Sequence, residues 1–297
     1  MRESQTEVPL TIIGAMAEVD GILGPGRQWN PVNKQQELFI KQFFEPYRAD
    51  VGKIAEIECI ASLSSEKVDQ FLRERGFGSN TKNLSNGELG IAGIMDCTVK
   101  WTRKGSNVII ETPDKKKYKG VRISEGGIWF YRSDDHNHPI VCLRTKTEDK
   151  VFMTMLDEEE VEEVPGKYML YKKVKKIMRD IDYCDDFDGL KFPKVDLDQQ
   201  AGMDWLFGIN TISSRGDPAK IKYIYQRNRL RMNEFGARFQ SEVRGVIAYT
   251  AVMKERKPDH IIDKPFLCWI QREGLDIPLY VAYVAKEDWK DPGSLGN

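Results

Sequence analysis

Between Asn107 and Leu156 the chain runs through five short segments, VIIETP, YKGVRI, GIWFYR, PIVCLRT and KVFMTML, each closed by turn-forming residues. Their near period-two alternation predicts half-buried strands joined by tight connections. Any fold for this chain must therefore hold a substantial β-sheet. Further strands are expected at residues 8–16 (VPLTIIGAM), 54–60 and 88–101, and the C-terminal runs FLCWIQ and PLYVAYVA predict a hairpin. Helices separate these blocks. Residues 34–48 set Leu38, Phe39, Phe43 and Phe44 on one face of an amphipathic helix ended near Pro46. Residues 65–76 form a second helix, capped by Ser64 or Ser65, with Glu66 in its first turn and Gly76 at its stop. Helical pattern also runs through KYMLYKKVKKIMRDI, LKFPKVDL reads as a strand, and GMDWLFGI as a short helix. Strands and helices come in blocks rather than in strict alternation, which predicts an α+β fold. No repeat, low-complexity tract or linker divides the chain, so one domain over residues 1–297 is expected.

The charge balance excludes some partners. Forty-five basic and 46 acidic residues leave a net charge of −1, with no global attraction to nucleic acid or an anionic membrane. No apolar run reaches the length of a membrane span, and the interrupted N-terminal stretch does not read as a signal peptide. The five cysteines, Cys59, Cys97, Cys142, Cys184 and Cys268, are widely spaced and form no CxxC. That predicts reduced thiols in a cytoplasmic protein rather than a disulfide framework or a zinc site.

Catalytic signatures are missing. The chain has no dinucleotide fingerprint, phosphate-binding loop, nucleophile elbow or HExxH, so neither a cofactor nor an enzyme activity is expected. There are three histidines, His136, His138 and His260. His136 and His138 stand two apart in DDHNHP, which could begin a metal-dependent active site but reads more simply as a polar turn between strands. The acidic string around Asp182, Asp185, Asp186 and Asp188 fails the calcium-loop pattern and reads as a solvated turn. The lysine runs at 115–119 and 172–176 could meet a polyanion, but they lack an aromatic stacking platform.

A resemblance runs from roughly residue 40 to the C-terminus. Asp263-Lys264-Pro265-Phe266 with the apolar run to Gln271, followed after a turn by Pro278 to Val284, resembles the closing strand pair of the serpin superfamily. Leu190 to Leu197 resembles a serpin strand, followed as in that family by a short helix and the pair Gly208-Ile209. Residues 39–51 resemble the family's F…Y-x-A-D-V segment. The run 88–101 stands where serpins carry a central strand ending in tryptophan, here Trp101, with Gly93 where they hold a buried asparagine. The resemblance implies a truncated serpin-like domain: a large mixed or antiparallel sheet, further strands and packed helices, lacking the N-terminal helices, with residues 1–30 as a divergent segment.

Two departures bear on function. The missing N-terminal layer would bare apolar core, so a protein partner, self-association or the first 30 residues should cover it. In inhibitory serpins an exposed loop is cut and inserts as a new strand, which requires small hinge residues. One register puts the hinge glycine at Gly236, followed by Arg238, Phe239 and Glu242. The preferred register puts it at Gly245, with Ala248, Thr250 and Ala251 in hinge-like positions but Val246, Ile247 and Tyr249 among them. The run 246–253 has strong strand propensity of its own. The bait would then lie near Lys254, Arg256 and Lys257. Both registers are bulkier than a trap requires, so the expectation is a non-inhibitory binding or structural protein. A serine protease inhibitor with a basic bait at residues 254–257 is the alternative.

Overall fold

The alternating middle of the chain does build sheet. The computed structural model describes residues 3–77, 83–95, 99–124, 126–147, 149–157, 159–160, 169–200, 202–238 and 257–295. In chain order it forms β1 (Gln5–Glu7), α1 (Pro9–Ala17), α2 (Val19–Leu23), α3 (Lys34–Phe39), β2 (Ile57–Ser62), α4 (Ser65–Glu74), β3 (Glu88–Met95), β4 (Val99–Lys100), β5 (Ser106–Glu111) and β6 (Lys117–Ser124). There follow β7 (Ile128–Ser133), β8 (His136–Arg144), β9 (Asp149–Met155), α5 (Met169–Ile177), β10 (Ile181–Cys184), β11 (Gly189–Pro193), β12 (Val195–Gln200) and β13 (Asn210–Ile212). The last strands are β14 (Pro218–Tyr225), β15 (Arg227–Asn233), β16 (Gly236–Arg238), β17 (Asp259–Ile261), β18 (Phe266–Arg272) and β19 (Tyr280–Val284). This is an α+β fold.

The chain packs as two compact units. One comprises residues 1–7, 97–199 and 229–297, the other residues 8–96 and 200–228.

The first unit holds the large sheet, ordered β1-β19-β18-β9-β8-β7-β10. Every pairing in it is antiparallel. The expected C-terminal hairpin is there as β18 and β19, with Trp269 opposite Val281 and fully buried. A second sheet runs β17-β11-β6-β5 and a third β12-β15-β16-β4. The single strand expected at 190–197 is thus two strands, β11 and β12, in different sheets, broken at Lys194. On α5, Leu170, Tyr171, Val174 and Ile177 are buried, the i, i+1, i+4, i+7 stripe of a helix lying on a core. The Glu7 carboxylate accepts the backbone N–H groups of Leu170 and Tyr171, at 3.2 and 3.1 Å, satisfying donors left free at the start of that helix.

The second unit holds the sheet β13-β14-β3-β2 and the helices α1 to α4. Here one expectation fails. Residues 9–17 are a helix, not a strand, and Pro9 through Ala15 with Met16 are all buried. A helix apolar on every side carries no 3.6-residue signal, and the β-branched Thr11, Ile12 and Ile13 mimic a strand. Pro9 at the first turn fixes φ where no donor is needed.

That helix packs on β2 and β3. At Gly93 an added Cβ would stand 2.2 Å from the Thr11 carbonyl oxygen, and at Gly14 one would stand 2.6 Å from Cys59 Sγ. The glycines let the backbones touch. Apolar core of this sheet is therefore covered by the chain's own first helix. The predicted cap on α4 is present: Ser64 accepts from Lys67 N–H at 3.4 Å, and Gly76 has φ of +73°. The helix from Lys34 continues past Phe39 through a π turn at Ile40–Phe44 to Tyr47, carrying Pro46 in its last turn rather than stopping before it. Phe39, Phe43 and Phe44 are buried as expected, while Leu38 is exposed.

Candidate functional site

The region a serpin-like chain would use is the passage out of β15. Along β15 the arginines alternate with buried residues: Arg227, Arg229 and Arg231 against Asn228, Leu230 and Met232. Arg229 and Arg231 pair with Asp198 and Asp196 of β12, at 3.0 and 3.1 Å. After Asn233 the chain turns tightly and returns as β16, which pairs antiparallel with β15 on one side and with β4 on the other.

The turn at residues 233–236 is held on every side. Trp101 Nε1 donates to Asn233 O at 2.9 Å, and the backbone N–H groups of Gly105 and Trp101 donate to Glu234 O and Phe235 O. Asn233 closes the turn by accepting from Phe235 N–H at 2.9 Å. Lys194, buried at the break between β11 and β12, places Nζ 2.9 Å from Glu234 Oε2 and 3.3 Å from Asp291 Oδ2. Burial raises the Glu234 carboxyl, but the hydrogen bond and charge of Lys194, a backbone N–H and Asn107 together outweigh it, and the pKa falls below the usual range. Asp291 moves down in the same way, with burial opposed by the Gly293 N–H and Lys194. Lys104 lies over the exposed Phe235 ring, 4.2 Å from its centre. Gly236 is required: a Cβ there would stand 2.2 Å from Val99 O.

Gly236, the hinge glycine of the less favoured register, thus opens a strand. The preferred candidates Gly245, Ala248, Thr250 and Ala251, and the bait residues Lys254 and Arg256, lie outside the described residues. Lys257 is described, and it is occupied. Its N–H donates to Asp188 Oδ2 at 2.5 Å, and its Nζ lies 2.6 Å from Asp185 O and 2.5 Å from Asp185 Oδ2. Nothing in the sequence marks Lys194 or Trp101 as an anchor of the turn. Its one signal was the end of the β15 alternation in Asn-Glu-Phe-Gly.

In the second unit β3 and β14 pair directly and in parallel. At the end of β14 the buried Gln226 side chain donates to Val8 O and Thr11 Oγ1, both at 2.7 Å, tying the strand to the start of α1.

The other candidate clusters are accounted for by pairing. His136 contacts Thr154 and Glu160, and His138 Nε2 stands 2.8 Å from Asp157 Oδ1. Among the described residues no three His, Cys, Asp or Glu side chains are grouped to hold a metal. Asp186 pairs with Arg132. In the lysine hairpin, Lys115 and Lys117 face Glu111, Lys116 faces Asp114 and Lys119 faces Asp291. Cys59, Cys142, Cys184 and Cys268 are free thiols, and burial pushes Cys59, Cys142 and Cys268 up to about 12, which leaves them unreactive. No described helix is long and apolar enough to cross a membrane.

No family model matches the chain, and no curated protein matches its sequence. Solved structures do match its fold. Human thyroxine-binding globulin complexed with thyroxine is similar at a TM-score of 0.57, with 10% identity over 94% of this chain and 91% of that one. A serpin of the trematode Schistosoma haematobium gives 0.57, with 13% identity over 95% and 93%. Tengpin, a thermophilic serpin in its native state, gives 0.58, with 12% identity over 96% and 89%. Likeness over nearly the whole of each chain at such low identity is a likeness of architecture, and by that architecture the chain is a divergent serpin-fold protein.

Proposed function

We propose that this protein is a non-inhibitory serpin-fold binding or structural module, not an enzyme and not a protease trap. One observation carries the reading: the first residues after the turn already form β16, and its third residue is an arginine, in register opposite Arg231. A spring-loaded hinge needs small residues that slide between strands. Here the sequence continues Arg238, Phe239, Gln240, Ser241, Glu242. Burying an unpaired arginine or glutamate during insertion costs several kcal/mol. The ionic and hydrogen-bonded anchoring of the turn favours a hinge that stays where it is. Lys257, the described member of the bait segment, has its side chain in an ion pair with Asp185 rather than free to enter a protease pocket. One structural neighbour bears the name of a thyroxine-binding globulin, so the fold also serves binding. The partner proposed here is another protein.

The test is incubation with a panel of trypsin-like proteases, followed by denaturing electrophoresis. The expected result is either no reaction or simple cleavage. A covalent complex that survives SDS would establish the inhibitor reading instead.

A further inference from the structure

The hairpin of β5 and β6 leaves one sheet edge open. β5 is the last strand of the sheet β17-β11-β6-β5, and it pairs antiparallel with β6 over six residues without a register shift. In such a pair, alternate residues point both N–H and C=O away from the neighbouring strand. Among the described residues, no backbone hydrogen bond from outside the pair reaches residues 106–111. Folded proteins blunt a free edge with proline, an edge lysine or a bulge. β5 has none of these. It reads Ser-Asn-Val-Ile-Ile-Glu, its register is regular, and Ile109 is 62% exposed.

Charge selects what can pair there. Arg103 and Lys104 are exposed just ahead of β5 and make no ion pair among the described residues. Just beyond its end stand Lys115, Lys116 and Lys117, with side chains 84, 61 and 69% exposed. Lys115 and Lys117 share the one carboxylate of Glu111, at 3.4 and 3.9 Å. Lys116 stands 3.6 Å from Asp114, which Lys286 approaches more closely, at 2.9 Å. Five cations at the two ends of the strand thus face two carboxylates.

Edge and charge together decide the class of partner. A sulfated polysaccharide or a nucleic acid meets the cations but has no strand to pair with the edge. A second copy of the hairpin has the strand but brings the same excess of cations, and like charges oppose the pairing. An acidic extended peptide meets both demands. Strand addition gives main-chain hydrogen bonds, and carboxylates meet the cations.

We propose that the free edge of β5 is the docking site for an extended acidic segment of a partner protein, which joins the sheet as a further strand. Apolar residues alternating with the acids pack on Ile109. The inference rests on the reading of the protein as a binding module and gives that module its partner surface. The two fail separately. A covalent protease complex would overturn the module without touching the edge, and loss of peptide binding would overturn the edge alone.

The test is fluorescence anisotropy of a short labelled peptide alternating glutamate and valine, titrated with the full chain at about 50 mM salt. This peptide is expected to bind. The same peptide with proline in place of valine keeps the charge but cannot pair as a strand, and should bind about tenfold more weakly. Lys115→Gln combined with Lys117→Gln, both at exposed positions, should weaken the glutamate–valine peptide by about tenfold. Bound peptide should slow hydrogen exchange at the outward amides of residues 106–111 about tenfold, with β18 unchanged as a check on the fold. No binding, equal binding of the proline peptide, or exchange at β5 that the peptide leaves unchanged overturns the proposal. Association of the chain with itself that protects the same amides without peptide would give the edge to a second copy, and overturns it too.

Discussion

β3 and β14 in one unit, and β4 and β15 in the other, are closed in different ways. β3 and β14 are direct parallel neighbours, backed by a helix so close that the Thr11 carbonyl occupies the space of a Gly93 side chain. β4 and β15, which follow them along the chain, each pair with β16 instead. The turn that leads into β16 is held by Lys194, Glu234, Asp291, Trp101 and Asn233. The first region rests on backbone contact and should answer to volume. The second rests on charge and hydrogen bonds and should answer to charge removal and to acid.

Lys194→Met should break the second region most severely. It leaves Glu234 and Asp291 without their shared cation in a mostly buried setting, and breaking such a pair costs about 3 kcal/mol after allowance for partial exposure. Chemical denaturation monitored by tryptophan fluorescence reads the loss. Both carboxyls have pKa values lowered by folding. Their contribution is therefore present above the unfolded value of about 4.3 for Glu and about 3.9 for Asp, and fades as the pH falls further. Lys194→Met should abolish that acid dependence.

Acid should also act on β17, where the described chain resumes. Burial pushes His260 down to about 4, with a smaller push from His138. A histidine with a lowered folded pKa contributes fully above the unfolded value near 6.5. The contribution is lost as pH falls from there toward about 4, at most about 3 kcal/mol for some 2.5 pH units. His260→Phe should flatten stability over that range in a pH series of melting curves.

Gly93→Ala should break the first region by about 1–3 kcal/mol, because the atom facing the new methyl is backbone and has no rotamer to change. Its effect should not vary with pH, which separates it from Lys194→Met. Gly93→Asn, restoring the residue type of the serpin pattern, should be worse than Gly93→Ala. The smallest effect is that of Ser64→Ala, about 1 kcal/mol through the cap of α4.

The same contrast explains what could be read from the sequence. The strands between 106 and 155 and the capped helix at 65–74 were legible because period and end signals are local. Helix α1 was not, since burial on all sides erases its period. Gly93 stands out as a departure from a family pattern, but its reason, a helix backbone beneath it, is a contact between residues far apart in the chain. The hinge was harder still. Gly236 and Gly245 are both followed by strand-like residues, and only the pairing of β16 with β15 and β4 shows that the chain turns at Gly236. In the sequence Lys194 is one more lysine after a proline, and its role depends on Glu234 and Asp291, distant in sequence.

A hinge that does not spring should leave the protein no more stable after cleavage. The most direct measurement is the melting temperature of the full chain before and after a single cut at a specific protease site engineered over residues 254–256. Melting should shift little, or downward. A large rise in melting temperature on cleavage would mean that the loop had inserted as a new strand, and would contradict it.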